Sequence, residues 1–415
     1  MKWVKPSKIK GTVLAPSSKS MMIRAVGASF LSKGKTQILF PSFCDDTIAA
    51  LNVVDNLGAQ VERSKQAVSV QKCRGLKNNT LNCHESGLCI RMFAPIAALF
   101  DEEITLVADG SLKHRPVGMM EKPLRSLGAF CSSTCGFPPM IVKGPIRGGK
   151  TEIDGSISSQ FLTGLLMALP VCGVDSELTV RNLKSKPYVS MTVDLLKHFQ
   201  IDISLSEDLN KFFIKGNQIY KNKSYCVEGD WSAASFLLVG GALCGSVTVK
   251  RLLRNSSQAD KRICDVLEMA GAKINVTEDK INVEQADLKA FEFDATDCPD
   301  LFPPIVVLAS KCTGRSLIFG VNRLKHKESN RANVLFSEFT RLGSRISVQG
   351  DSMEIEGPYL EGGIINAHGD HRIAMAGAVA GMASNRGTTL RGWRCVAKSY
   401  PAFFEDLKSI GGEVQ

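Results

Sequence analysis

Long apolar runs are absent from this chain of 415 residues. No stretch holds the roughly 18 uninterrupted apolar residues that a membrane-spanning helix needs. Low-complexity sequence is absent too. With 44% hydrophobic and 22% charged residues, the chain is ordinary globular material with ample core. Blocks of like charge are missing: the net charge is +10, but the Lys and Arg are dispersed, with no run of five or six. Aromatics make up only 7% and do not interleave with basic clusters, so neither a nucleic-acid nor a membrane partner is expected. Zinc-like spacing is missing as well. Cys83-His84 with Cys89, and Cys131 with Cys135, lack a second Cys/His pair, so no metal is expected. The 13 cysteines are odd in number and sit mostly in apolar runs, as at Cys172, Cys244 and Cys312. They read as reduced thiols rather than a disulfide framework. At the start, Met1-Lys2-Trp3-Val4-Lys5-Pro6 breaks with charge and proline before an apolar signal core could form, so a cytoplasmic protein is expected.

What the chain does have is a repeat. Five times a short β-like run ends in a loop carrying a cation, just ahead of a helix-like stretch. Ile104–Val107 leads to Arg115, Leu178–Val180 to Lys186, Val247–Val249 to Arg254, Leu317–Phe319 to Lys327, and Thr389–Leu390 to Lys398. Helix starts present unpaired N–H groups and partial positive charge, so cations added there on several repeats point to a multiply charged small anion. A sixth run near Gln37–Leu39 has an acidic loop instead (Asp45, Asp46). Units close on Leu57-Gly58-Ala59, Leu127-Gly128-Ala129, Ala270-Gly271-Ala272, Leu342-Gly343-Ser344 and Ile410-Gly411-Gly412, where glycine is the expected helix stop. The unit at Leu178 runs into Phe199-Gln200-Ile201 without it. Starts recur every roughly 70 residues, which predicts six small βαβ-type modules grouped as two domains of three.

Four segments carry chemistry. Pro16-Ser17-Ser18-Lys19-Ser20 precedes a helix predicted from about Ser20 to Leu31, with Lys19 at its start and Arg24 one turn in, near enough to grip the same anion. Asp154-Gly155-Ser156-Ile157-Ser158-Ser159-Gln160 runs three serines into an apolar helix, more hydroxyls than an N-cap requires. In the segment from Asn322 to Arg331, a helix would put Lys327 and Arg331 on one face, beside an ionised Glu328. Asp370-His371-Arg372 opens a small-residue helix, where a buried Arg needs a partner or a ligand.

Together with "HRPVG", "SKPY", "EGDWSAAS", "CPD" and "AKSYPAFFEDL", these segments appear in order as "PSSKSMMIRA", "DGSISSQFLTGLLMALP", "KHKESNR" and "GDHRIAMA". The set resembles the EPSP synthase family of enolpyruvyl transferases along essentially the whole chain. The resemblance implies an α/β fold of two similar domains, each of three βαβαββ units, an inside-out α/β barrel. Residues 14–227 would bind mainly shikimate 3-phosphate, and 1–13 with 228–415 would supply phosphoenolpyruvate-binding and acid/base residues. It implies transfer of the enolpyruvyl group of phosphoenolpyruvate to the 5-hydroxyl of shikimate 3-phosphate by addition–elimination in a cleft between domains, toward chorismate and aromatic amino acids. It implies no cofactor, and a monomer is expected.

Carried over by position, the resemblance implies Ser20, Arg24, Ser158, Ser159, Ser185 and Tyr188 on the phosphorylated shikimate, with Asp300 on its hydroxyls. Lys19, Gly87, Arg115, Gln160, Arg331, Arg372 and Lys398 would meet phosphoenolpyruvate. Lys19, Asp300 and Glu328 are the implied proton-transfer groups, with Lys327 and His371 close by. Seven cations so gathered would repel one another in an empty site. The chain departs from the family pattern in three places. The "PGSKS" glycine is Ser17. The "NAGT" turn reads Glu85-Ser86-Gly87-Leu88, which sets a carboxylate and a bulky Leu beside the expected phosphoenolpyruvate pocket. The Asn expected five residues before Glu328 is Arg323, with Asn322 one place early. Transfer to another alcohol on the same fold, or non-catalytic binding of a polyanion such as RNA through the +10 charge, are the competing readings.

Overall fold

The anticipated strands form, each somewhat longer than its apolar centre. In a computed structural model that describes residues 1–73, 75–221 and 224–415, they are Lys35–Leu39, Glu103–Val107, Ser176–Arg181, Gly245–Lys250, Gly314–Phe319 and Thr388–Arg391. Each lies in its own sheet, and among the described residues there are six sheets. The pattern within them repeats. One edge strand pairs parallel with the basic-loop strand, as Thr80–Asn82 does with Glu103–Val107. The basic-loop strand then pairs antiparallel with a hairpin, here Phe130–Thr134 and Phe137–Lys143. A parallel pair needs a crossover, which the apolar helix Gly87–Ala97 supplies. The unit is therefore βαβαββ.

Three units are assembled from distant pieces of chain. Ile9–Leu14 pairs with Gly245–Lys250 across more than 230 residues, and Ser224–Cys226 pairs with Lys35–Leu39. In the last sheet, Lys2–Val4 takes the place of a hairpin strand beside Thr388–Arg391. The chain accordingly divides into a flanking unit, Met1–Pro16 with Glu228–Gln415, and a central unit, Ser17–Val227. Residues 15 and 16 stay with the flanking unit because the Ala15 N–H donates to Lys250 and the Pro16 carbonyl accepts from Asp230.

All five closing glycines adopt positive φ, between 83° and 101°. The unit without a glycine makes the same left-handed stop with Gln200, at φ 60°. Each unit also holds three almost wholly buried helices: Lys19–Leu31, Gly87–Ala97 and Gln160–Ala168 in the central unit, and Trp231–Cys244, Phe302–Ala309 and His371–Ala383 in the flanking one. Such helices are apolar all round because they pack on one another as well as on sheets. Their first turns are the polar places left in the core, and the candidate residues cluster there. All thirteen cysteines carry free thiols, with Cys172, Cys244 and Cys312 buried. Among the described residues, no helix is long and apolar enough to cross a membrane.

Candidate active site

In the flanking unit, Asp300 sits in the turn Pro299–Leu301 that opens the helix Phe302–Ala309. One carboxylate oxygen accepts from Arg331 (2.8 Å) and Lys327 (3.1 Å), and the other from Arg372 (3.1 Å). Burial works against ionising Asp300, but Arg372, Lys327 and Arg331 overcome it and hold the carboxyl well below the usual range. Lys327 is shifted the opposite way to an ordinary ion-paired lysine. Burial lowers its pKa, and Asp300 only partly offsets this. A lysine so placed gives up a proton more readily than an exposed one.

Arg331 is fully buried. Its Nε donates to Asp370 (2.9 Å), and its terminal nitrogens donate to Asp300, to Asp370 (3.2 Å) and to Glu328 (2.6 Å). The helix begins only at Arg331, so Lys327 and Arg331 do not share a helix face as the spacing suggested; both instead reach Asp300 from a turn and a helix start. Asp370 caps His371–Ala383 by accepting from the Arg372 N–H (3.0 Å), and it also takes the Ser329 hydroxyl. His371 is buried in that first turn, and the Lys398 ammonium donates to the Gly369 carbonyl at 2.7 Å. The flanking-unit site residues therefore all come together. Their four cations (Lys327, Arg331, Arg372, Lys398) are largely balanced by Asp300, Glu328 and Asp370, so the repulsion expected of an empty site is met by carboxylates of the protein itself.

The central unit shows the same economy. Lys19 opens the helix Lys19–Leu31 behind the cap Ser18 and pairs with Asp46 at 2.8 Å, both side chains being little exposed. Arg24 does not point where Lys19 does. Its guanidinium is buried against Thr192 Oγ1 (3.0 Å), the Ser20 carbonyl (2.9 Å), the Tyr188 carbonyl (3.4 Å) and Thr163 Oγ1 (3.5 Å). Burial lowers its pKa to about 10, so it stays cationic. Arg24 thereby ties the start of its own helix to Gln160–Ala168 and Lys186–His198, the helices that carry Ser159, Gln160 and Tyr188 at their entrances.

Ser158 accepts from the Gln160 N–H at 3.2 Å, Ser159 is buried at the N-cap, and Ser185, at φ 56°, precedes the other helix. Gln160 accepts from Arg91 (2.8 Å), which also donates to the Pro116 carbonyl next to Arg115. A Cβ at Gly87 would stand 2.7 Å from the Arg115 guanidinium, so a side chain there would displace that group. Leu88 is buried in the hydrophobic core, and Glu85 accepts from Ser111, which shows where the two side chains of the departing turn go. Of the five basic loops, Arg115, Lys327 and Lys398 are drawn in, whereas Lys186 and Arg254 are exposed.

Sequence reasoning missed Asp46, Arg91 and Asp370 as partners. Asp46 had a signal, the single acidic loop among basic ones. Asp370 had another: Asp230, Asp300 and Asp370 recur at an interval of 70 residues, the repeat length itself.

This fold is shared with solved structures. EPSP synthase from Acinetobacter baumannii aligns with a TM-score of 0.83 at 24% identity, over 100% of this chain and 99% of that one. The enolpyruvyl transferase NikO from Streptomyces tendae aligns with a TM-score of 0.81 at 16% identity, over 100% and 98%. At those identities the likeness speaks for the fold alone, which is that of enolpyruvyl transferases. Curated relatives are nearer in sequence. The 3-phosphoshikimate 1-carboxyvinyltransferase of Clostridium kluyveri is 36% identical over 99% of this chain and 97% of that protein, and the one from Methanocorpusculum labreanum is 36% identical over 99% of each. Residues 4–407 match the profile of the family described as EPSP synthase (3-phosphoshikimate 1-carboxyvinyltransferase), and the chain belongs to that family.

Proposed function

We propose that the protein transfers the enolpyruvyl group of phosphoenolpyruvate to the 5-hydroxyl of shikimate 3-phosphate and releases phosphate, on the route to chorismate and aromatic amino acids. The observation that carries this reading is Asp300, a largely covered carboxylate held between Arg331, Lys327 and Arg372 at 2.8–3.1 Å. The hydroxyl oxygen attacks C2 of phosphoenolpyruvate, its proton passes to a base, and C3 takes up a proton. The tetrahedral intermediate then loses a proton from C3 and expels phosphate.

Asp300 is the base toward the hydroxyl. When the substrate's anionic groups engage Arg372 and Lys327, two of the charges that hold Asp300 acidic are withdrawn, and burial raises its basicity. Lys19 and Glu328 serve the proton transfers at C3. Lys327, with its lowered pKa, eases phosphate departure, and His371 lies buried in the same helix turn as Arg372. Arg115, Gln160, Gly87, Arg372 and Lys398 receive phosphoenolpyruvate, and Arg331 serves that subsite by holding Glu328, Asp300 and Asp370. Ser20, Ser158, Ser159, Ser185 and Tyr188 receive shikimate 3-phosphate, with Arg24 fixing the helix starts that present them. The chain works as a cytoplasmic monomer; sedimentation at twice the chain mass would overturn that part.

Phosphate release from phosphoenolpyruvate that requires shikimate 3-phosphate is the expected result. Release with another alcohol only, or RNA binding with a steep salt slope and no turnover, would overturn the reading. Lys19→Met should lower the rate by about 10²–10⁴-fold, and undiminished turnover would remove Lys19 from the mechanism.

A further inference from the structure

Glu85 is one of the residues at which this chain departs from the family turn, and the proposed reaction gives it nothing to do. It lies just ahead of the helix Gly87–Ala97, whose first residue is Gly87 and whose cap is Ser86. One oxygen of its carboxylate accepts both the backbone N–H and the hydroxyl of Ser111, each at 3.0 Å. Ser111 belongs to the 3-10 turn Gly110–His114, and Arg115 is the next residue, its N–H bonded to Leu112 at 3.1 Å.

The space taken by the carboxylate is left open by Gly110. This residue sits at φ 48°, and a Cβ added to it would overlap the Glu85 carboxylate. At the other end of the same stretch, the Arg115 guanidinium lies against the bare backbone of Gly87. The segments 85–87 and 110–115 are thus clasped at two points, Glu85 on Ser111 and Gly87 on Arg115. The parallel strands below carry the alignment upward through the Cys83 N–H on Val107 (3.0 Å) and the Asp109 N–H on His84 (2.7 Å).

We infer that Glu85 is a positioning residue for Arg115: by holding Ser111 it fixes the turn that aims the guanidinium at the phosphoenolpyruvate subsite beside Gly87. A charge-assisted acceptor shared by two donors is among the stronger hydrogen bonds, and a cation misplaced by about 1 Å costs about 10²-fold. The inference rests on the reading that Arg115 and Gly87 meet phosphoenolpyruvate.

The test is steady-state phosphate release by the full-length protein, with each substrate varied against saturating amounts of the other. Glu85→Ala should raise KM for phosphoenolpyruvate by about 10- to 100-fold and move KM for shikimate 3-phosphate by less than about twofold. Glu85→Gln keeps an acceptor oxygen and should recover most of the loss. Ser111→Ala, which removes one of the two donors, should give a rise of about threefold confined to phosphoenolpyruvate. The double variant should be no worse than Glu85→Ala, since the two act through one contact. An unchanged KM for phosphoenolpyruvate in Glu85→Ala overturns the inference, as do equal rises in both KM values or effects that multiply in the double variant. Should Glu85→Ala fail to fold, Ser111→Ala decides alone, and an unchanged KM there is equally fatal. A wild type that releases no phosphate removes the underlying function and this inference together, whereas an active wild type with an unaltered Glu85→Ala removes the inference only.

Discussion

The flanking unit starts its three buried helices on carboxylates, and the central unit starts its three on hydroxyls. Asp230 accepts from the Ala233 N–H at 2.8 Å, Asp370 accepts from Arg372, and Asp300 occupies the turn before the third helix. In the central unit Ser18 accepts from Met21 and Ser86 from Cys89, both at 3.4 Å, and Ser158 and Ser159 open the third helix. A carboxylate at a helix start offsets the partial positive charge there, whereas a hydroxyl satisfies one N–H and leaves the field standing. One scaffold thus yields two kinds of site. The hydroxyl starts suit a phosphate dianion. The carboxylate starts suit cations kept paired until a ligand engages them, with an acid and a base among them.

Breaking the carboxylate side should have the largest effect. Asp300→Ala removes the proposed base and takes one carboxylate from Lys327, Arg331 and Arg372, and phosphate release should fall by about 10²–10⁴-fold. A loss under about fivefold would take Asp300 out of the chemistry. Converting a hydroxyl start into the other kind comes next. Ser159→Asp sets a charge against the incoming phosphate. Like charges about 4 Å apart at an effective dielectric near 20 cost about 4 kcal/mol, so KM for shikimate 3-phosphate should rise on the order of 10³-fold. An unaltered KM would break the comparison on that side.

The reverse conversion, Asp370→Ser, leaves Arg331 short of a buried partner. A loss of about 3 kcal/mol follows, which calorimetry should register as a drop in Tm of roughly 6–12 °C. The smallest effect concerns Asp260, buried near Asp300, Arg372 and Asp230. Burial and then Asp300 push its carboxyl up to about 6, against Arg372. A carboxyl whose folded pKa exceeds its unfolded value near 4 subtracts stability above about pH 6 and ceases to as the pH falls toward 4. Asp260→Asn should therefore raise Tm by roughly 2–4 °C at pH 8, with the gain fading by pH 4. A gain independent of pH would contradict this.

The repeat was legible because its signals are local. An apolar strand, a loop and a left-handed stop occupy neighbouring residues, and even Gln200 makes that stop without glycine. The joining of Ile9–Leu14 to Gly245–Lys250 was not legible, since periodicity carries no information about a partner more than 230 residues away. At the site, residue types were readable and directions were not. Arg24 and Arg331 are the cations an anion site calls for, yet both spend their donors on the protein, on helix-start carbonyls and threonines in one case and on three carboxylates in the other. Burying an Arg demands such partners, but a sequence does not say which ones answer. Asp46 shows the same gap, an acidic loop that looked like an exception and serves as the counter-ion of Lys19.

The division of labour between the two kinds of helix start is tested most directly by measuring KM for both substrates in Ser159→Asp and Arg372→Met, side by side under one set of conditions. The account predicts that Ser159→Asp raises KM for shikimate 3-phosphate alone and Arg372→Met raises KM for phosphoenolpyruvate alone. Both variants acting on the same substrate, or each raising the two KM values equally, would contradict it.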